Sequence, residues 1–374
     1  MSQRLKVLLV IPTLDQSGAE KQLTLLATGL PRDAFDVHVF ALTRGGPYAE
    51  TLQAAGIPVT VFGKRFKFDP GVLRRLKRAI LDLQPDVVHP WLFAANAYVR
   101  LALGRHPAIP IIVSERCVDT WKSRWQLWLD RFLIPRTARL VGNSTPVVEY
   151  YRAQGFPADR SLAIPNGMPV PPSLSPEERT QARTAALSGL GLDPSAFVVG
   201  YVGRLAPQKR VDDLIWAFEL LRIIQPQTAL LIVGEGPERT RLEKFCVQIK
   251  LMDQVRFLGH RADAASWLPL LDAFWLASDF EGQSNSLMEA MACGLPCVVS
   301  DIAPNRELIT DNETGFVVPM GDRAAFTKAT QRLMLEPELA ARLGAAARAK
   351  IETEFSVSKM VERYAEMYRR VVRR

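Results

Sequence analysis

Glu281 and Glu289 are separated by seven residues within S-D-F-E-G-Q-S-N-S-L-M-E-A-M-A-C-G-L-P-C-V-V-S-D, residues 278–301. The run reads as an apolar strand at 274–277, a polar loop with a glycine, a short helix, a Gly-Leu-Pro stop and a second apolar strand at 297–300. Open parallel sheets bind ligands at the carboxyl ends of their strands, where Glu281 falls, and Glu289 follows one to two helical turns on. Backbone N–H groups of loop 282–286, at a helix N-terminus, suit a phosphate. Two carboxylates beside an anion hole suit a ligand carrying both hydroxyls and phosphates. A second loop, G-R-L-A-P-Q-K-R at 203–210, leaves an apolar run at 197–202. Its Arg204 and Lys209 either converge on a diphosphate, each charge-assisted bond contributing roughly 1.5–3 kcal/mol, or form a solvated basic turn.

The elements that must hold these residues alternate along the whole chain. Strands are expected at 6–11, 36–42, 58–62, 87–89, 109–114, 140–142 and 162–164, with helical patterns between most of them, which makes the first half a doubly wound α/β domain over 1–172. Prolines crowd both ends of residues 165–195 around one polar helical stretch, and we read 173–195 as a linker region. A second α/β run covers 196–355, with strands at 197–202, 229–233, 255–258, 273–277, 297–300 and 315–318. The chain ends in a helix at 359–373, rich in Arg near its carboxyl end.

At 374 residues, 48% hydrophobic and 23% charged, the chain is long enough for two cores. Mean hydropathy is +0.02, and no apolar run approaches a membrane span. Cys117, Cys246, Cys293 and Cys297 show no C-x-x-C spacing, so neither a zinc site nor a disulfide framework is indicated, and a reducing cytoplasm is the expected setting. The first apolar run, at 7–11, reads as a buried strand and not as a secretion signal. Net charge is +8, unevenly placed: residues 1–172 hold 22 Lys and Arg against 13 Asp and Glu, the remainder 25 against 26. A basic half points to an anionic substrate, an anionic membrane or nucleic acid, and no nucleic-acid-binding module accompanies it.

Further loops follow strand ends. In S-G-A-E, Gly18 allows a ligand to approach the backbone, or Ser17 and Glu20 simply start a helix. V-G-E-G-P-E-R at 233–239 offers Gly234 and Gly236 but lacks the third glycine of a dinucleotide fingerprint, so a tight strand-to-helix turn accounts for it equally well. F-L-G-H-R brings His260 and Arg261 to the end of the next strand, where a loop backbone could pair with a flat base.

Taken in order, G-R-L-A-P-Q-K-R, V-G-E-G-P-E-R, F-L-G-H-R, the E-x7-E run and E-L-I-T-D-N-E-T-G-F-V-V-P resemble the motifs of GT-B retaining glycosyltransferases of family 4. The likeness is strong from 199 to 319 and looser through S-G-A-E, P-D-V-V-H and I-P-N-G. It implies two Rossmann-like domains facing a central cleft, the second holding a UDP- or GDP-sugar as substrate and the first choosing the acceptor. It further implies that the helix at 356–374 crosses back to the first domain. Arg204 and Lys209 would then stabilise the leaving diphosphate, work that can replace a metal. No D-x-D pair occurs, and neither a metal nor another cofactor is expected. By the same resemblance Glu281 would contact the sugar and Glu289 the ribose. Gly18, Gly282, Ser284, Asn285 and Ser286 would cradle the phosphates, while Gly234, His260 and Arg261 would frame the base.

The first half departs from the family pattern. His89-Pro90-Trp91 stands where many relatives carry H-x-H, and Arg116 stands where many place a histidine that touches sugar or acceptor. His89 is either an acceptor contact or a buried strand-end histidine, and Arg116 is a candidate contact. Two stretches bear on the acceptor's setting. Residues 64–80 interleave Lys64, Arg65, Lys67, Arg74, Arg75, Lys77 and Arg78 with apolar positions, and Trp121, Trp125, Trp128 and Phe132 recur at helical spacing. Each suits either an anionic membrane surface or an ordinary helix packed on the core. The expectation is a cytoplasmic enzyme, peripheral on the inner face of the membrane, that passes a sugar to a lipid-linked or cell-envelope glycan and does not bind nucleic acid. Transfer to a soluble small molecule and nucleotide-sugar binding without catalysis are the alternatives; a GT-B epimerase would not need the E-x7-E context.

Overall fold

The computed structural model describes residues 4–104, 109–120 and 122–372. Trp121, the first of the aromatic series, and Arg373 lie outside the described residues. The chain divides into two units, Met1–Gly167 with Val357–Arg374, and Met168–Ser356.

In the first unit the elements run β1 (Leu5–Thr13), α1 (Gly18–Gly29), β2 (Phe35–Arg44), α2 (Pro47–Ala54), β3 (Val59–Val61), α3 (Pro70–Leu83), β4 (Val87–Pro90), α4 (Leu92–Leu103), β5 (Ile112–Glu115), α5 (Arg124–Leu133), β6 (Arg139–Gly142), α6 (Thr145–Ala153) and β7 (Ser161–Ala163). The strands pair in parallel in the orders β3-β2-β1-β4 and β5-β6-β7. Parallel bridges from Val88 to Ile111 and from Trp91 to Ser114 join the two sets. β1 is central because residues 7–11 are apolar on both faces, as a strand covered by helices above and below requires, and all five are fully buried. The expected strand at 109–114 starts three residues late, since Pro110 has no N–H for a ladder and only its carbonyl pairs, with Val88 N–H at 3.1 Å. α3 begins at Pro70 with Asp69 as its cap, accepting the Val72 N–H at 3.1 Å, and it buries Val72, Leu76 and Ile80.

The same unit holds a buried ionic knot. Lys122, with no exposed side-chain surface, lies 3.4 Å from Glu115, 3.1 Å from Asp119 and 3.1 Å from Asp130, and donates to the Tyr151 hydroxyl at 2.6 Å. Arg100 adds a 2.7 Å bond to Asp130, and Asn96 a 2.9 Å bond to Glu115. Burial pushes the Glu115 carboxyl up to about 7 against the pull of Lys122, and burial with the surrounding carboxylates keeps Tyr151 protonated, donating to Asp119 at 2.6 Å.

The second unit runs α7 (Pro176–Gly189), β8 (Phe197–Val202), α8 (Val211–Ile224), β9 (Thr228–Val233), α9 (Arg239–Gln248), β10 (Val255–Gly259), α10 (Ala264–Trp267), β11 (Ala273–Leu276), α11 (Asn285–Ala292), β12 (Cys297–Ser300), α12 (Ala303–Leu308), β13 (Phe316–Val318), α13 (Arg323–Leu335) and α14 (Pro337–Glu354). Its parallel sheet has the order β10-β9-β8-β11-β12-β13. That order reverses direction between β8 and β11, the switch point where open α/β sheets take their ligands.

The polar helix expected within 173–195 is α7, started by a Ser175–Glu178 capping box with Pro176 where no N–H is needed, and the reading of this stretch as a separate linker is corrected, because it belongs to the second unit. Arg179 and Arg183 fasten it to Asp272 at 3.0 and 2.7 Å, and Arg179 also reaches the Pro269 and Leu271 carbonyls at 2.8 Å. Residues 168–172 likewise lie in this unit, not the first, because Met168 donates to the Phe355 carbonyl at 2.8 Å. The last helix, α15 (Val357–Val372), is part of the first unit and packs on α1, burying Met360, Val361, Tyr364 and Tyr368. Gly29 makes room for it: a Cβ there would stand 2.7 Å from Val361 Cγ2.

Replacing Lys122 by Met leaves three carboxylates buried without their shared cation, so the variant should lose about 3–5 kcal/mol. A lower midpoint in thermal or urea melts at neutral pH checks this. The deficit should narrow in acid, because neutral carboxyls no longer repel and wild type then loses the same attraction. A variant as stable as wild type at pH 7 would show that the knot contributes nothing.

Candidate functional site

The carboxyl ends of β8, β9, β10 and β11 carry most of the residues singled out by sequence, and backbone bonds stitch their loops into one surface. Gly203 donates to the Val233 carbonyl at 2.9 Å, Leu205 to Glu235 at 2.9 Å, Glu238 to Leu205 at 3.0 Å and Gly234 to Gly259 at 2.8 Å. Such close passage of main chain over main chain has no room for a side chain. At Gly234, with φ +144°, a Cβ would fall 1.9 Å from the Gly203 carbonyl oxygen. Gly234 was expected at a ligand's base, and its observed neighbour is the preceding loop.

At the switch point the β8 and β11 loops meet through charge. Lys209 forms an ion pair with Glu281, both side chains being largely buried at 15% and 9% exposure. Ser278 Oγ donates to the same Glu281 oxygen at 2.7 Å. Asp279 N–H bonds the Gln208 carbonyl at 2.9 Å, tying one loop to the other. Arg210, in the left-handed region at φ +48°, spends its guanidinium on Asp279 at 3.0 Å and Asp213 at 2.6 Å, while Arg323 meets the other side of Asp213 at 2.6 Å. Arg204 is exposed, and its guanidinium makes no hydrogen bond or ion pair with any described residue. Tyr201 donates to the Arg204 carbonyl at 3.0 Å, and burial together with the Glu281 charge holds its hydroxyl far above the usual phenol range. The loop after β8 therefore carries an uncommitted cation, Arg204, and a lysine already paired with Glu281, whose carboxylate Ser278 also holds.

α11 opens at the same end of the sheet. Ser284 is its cap, its Oγ accepting the Leu287 N–H at 3.4 Å and lying 3.2 Å from the Ser286 hydroxyl. Gly282 is buried, Asn285 and Ser286 are half-buried in the first turn, and Glu289 lies half-buried one turn on. His260 is exposed at the end of β10. Arg261 is held by Asp263 through two 2.8 Å bonds and lies 4.9 Å over the Trp267 ring, so its charge is already matched.

Three of the expected contacts sit on the first unit. Gly18 is exposed at the start of α1; the hydroxyl of Ser17 bonds the Glu20 carboxylate and caps no backbone N–H. His89 is corrected as an acceptor contact: it has no exposed surface, and both ring nitrogens are taken, Nδ1 at 2.6 Å from the Tyr368 hydroxyl and Nε2 at 2.8 Å from Ser114 Oγ. Burial, helped by Arg116, drives its pKa well below the ordinary histidine value, so it is neutral. Arg116 lies 4.3 Å over the Trp91 ring and donates to the Tyr364 hydroxyl at 3.2 Å and to Asn166. It is a half-buried brace at the end of β5.

The sequence reading passed over Ser278, Asp279, Arg210 and Tyr201. Ser278 had a signal, three residues before Glu281, whereas the Arg210–Asp279 clasp spans 69 residues and follows only from strand order. Among the described residues no cluster of three or more His, Cys, Asp or Glu is arranged to hold a metal ion.

Comparison with known proteins bears on both units. The family description "Glycosyl transferases group 1" matches residues 184–350, and "Glycosyltransferase Family 4" matches residues 16–170. The GDP-mannose-dependent alpha-(1-6)-phosphatidylinositol monomannoside mannosyltransferase of Mycolicibacterium smegmatis is 31% identical over 301 residues, 75% of each chain. The UDP-Gal:alpha-D-GlcNAc-diphosphoundecaprenol alpha-1,3-galactosyltransferase of Escherichia coli is 26% identical over 356 residues, 91% of this chain and 90% of that one. Among solved structures, Anabaena HepE in complex with UDP and glucose shares the fold with a TM-score of 0.86 at 23% identity, over 98% of this chain and 100% of that one.

Gly234→Ala should destabilise the second unit by about 2 kcal/mol or more, from the positive φ and the carbonyl clash together. Differential scanning calorimetry measures it. An unchanged melting temperature would mean that the loops after β8 and β9 can part without cost.

Proposed function

This chain belongs to the family 4 glycosyltransferases, and we propose that it moves a sugar, with retention and without a metal, from a UDP- or GDP-linked donor to a lipid-linked or cell-envelope glycan. The observation that carries the donor half is the Lys209–Glu281 pair at the switch point of the second unit, with the uncommitted Arg204 on the same loop as Lys209. In this reading Arg204 and Lys209 face the diphosphate and stabilise the charge that grows on it as the sugar C1–O bond breaks, an electrostatic role preorganised by the loops beneath. Glu281, aimed by Ser278 and Lys209, accepts hydrogen bonds from sugar hydroxyls. Glu289 accepts from the ribose, and the first turn of α11 faces the phosphates. The acceptor oxygen bonds C1 on the face the diphosphate leaves, and its proton passes to the departing phosphate.

The acceptor half draws on the relatives. One is described as acting on a phosphatidylinositol mannoside and another on a sugar carried by diphosphoundecaprenol, both lipids. The two also use different nucleotides, GDP and UDP, so both stand as donors here.

Removing one charge from the leaving-group side separates chemistry from binding. Arg204→Ala and Lys209→Ala should lower kcat by roughly ten- to a hundredfold, from about 1.5–3 kcal/mol per charge-assisted bond, whereas Glu289→Ala should act mainly on donor affinity. Steady-state kinetics with each nucleotide sugar would read this, with EDTA leaving the wild-type rate unchanged and proton NMR showing product of the donor's own anomeric configuration. Wild-type kcat in both cation variants, or an inverted product, would overturn the assignment.

A further inference from the structure

α5 is built inside out. Its buried positions are Asp130 and Leu133, with Asp130 in the ionic knot beside Arg100 and Lys122. Its aromatic residues face water: Trp125 is 60% exposed, Trp128 64% and Phe132 54%. Trp128 and Phe132 stack at 5.5 Å with an interplanar angle of 10°, a preformed flat apolar face. An amphipathic helix serving only its own core would show the opposite pattern, so burial on the core, one of the two readings open from sequence, does not describe these three side chains.

A second aromatic patch lies across α4. Phe66 and Phe68 are 69% and 59% exposed in the loop before α3. α3, α4 and α5 pack side by side, and α4 touches both patches: Phe93 meets Trp125 edge to face at 5.8 Å, and Tyr98 lies 6.4 Å from Phe68 with the Lys64 ammonium 5.5 Å over its ring. Residues 64–78 carry seven Lys and Arg against one acid, Asp69, which is occupied as the α3 cap. Arg124 and Arg131 flank the aromatic face of α5, whose one acid, Asp130, points inward.

We propose that this surface, the loop at 64–68 with the outer faces of α3 and α5, docks on an anionic lipid bilayer. Aromatic side chains favour the headgroup boundary, and clustered cations are drawn to its negative surface. A second copy of the chain fits less well, because the same patch on it would bring like charges together. The docking rests on exposure and charge in the first unit alone, so it can fail while donor chemistry in the second unit holds.

Flotation with phosphatidylcholine vesicles, with and without phosphatidylglycerol, tests it. The wild type should float with the anionic vesicles and lose binding as salt rises. Vesicles with brominated acyl chains should quench its tryptophan emission. Changing Lys64, Arg65 and Lys67 together to Gln should weaken binding by roughly a hundredfold, from the attraction of each basic residue near the surface. W125S, W128S and F132S combined should weaken it at least about tenfold. Donor hydrolysis in vesicle-free buffer and the melting temperature should stay at wild-type values in both variants. The proposal fails if the wild type stays at the bottom of the gradient without quenching, or if both variants float equally well. It also fails if the aromatic substitutions dissolve a dimer while leaving vesicle binding intact.

Discussion

The contact between Lys209 and Glu281 is where the second unit's architecture becomes chemistry. These residues are 72 apart in sequence and come from the loops after β8 and β11, strands that neighbour one another only because the sheet reverses its order there. Both side chains are mostly out of water, so each would carry a desolvation penalty without the other, and Ser278 holds the Glu281 carboxylate through a 2.7 Å bond. The Arg210–Asp279 clasp and the Asp279–Gln208 backbone bond hold the same two loops together independently. Arg204, the neighbouring cation, is left uncommitted by this arrangement, and that makes it available to an anionic ligand.

A different economy governs the first unit. Its charge is sorted by depth: the carboxylates of Glu115, Asp119 and Asp130 turn inward onto Lys122 and Arg100, while the lysines and arginines of 64–78 remain on the surface. Turning Asp130 inward is what turns Trp128 and Phe132 outward, since they share one helix. His89, Tyr364, Tyr368, Trp91 and Arg116 form an adjoining polar-aromatic core in which α15 supplies both tyrosines. The final helix thereby contributes to the floor of the strand ends in the first unit.

Much of the fold was legible because its signals are local. Among the described residues, all thirteen strands stand where short apolar runs bounded by Gly, Pro or polar residues placed them, with ends shifted by a few residues. The polar helix within 173–195 was legible but its membership of the second unit was not, because the tie through Arg183 to Asp272 is 89 residues long. Arg204, Lys209, Glu281 and Glu289 could be picked out from loops after strands. Arg210 looked no different from its neighbours, yet Asp279 and Asp213 absorb its charge. His89 kept two readings open because a histidine at a strand end is buried or exposed according to what packs on it, and Tyr368 comes from 279 residues away. The aromatic spacing of α5 marked a face but not its direction, which the buried Asp130 decides.

The claim that the second unit is built around a nucleotide sugar is tested most directly by thermal shift of the whole chain against UDP, GDP and ADP, their sugars, and NAD, since a ligand bound only by the folded protein raises its melting temperature. A shift with UDP or GDP and the corresponding sugar, and none with NAD, is the predicted result. A shift with NAD and none with any nucleoside diphosphate would contradict it.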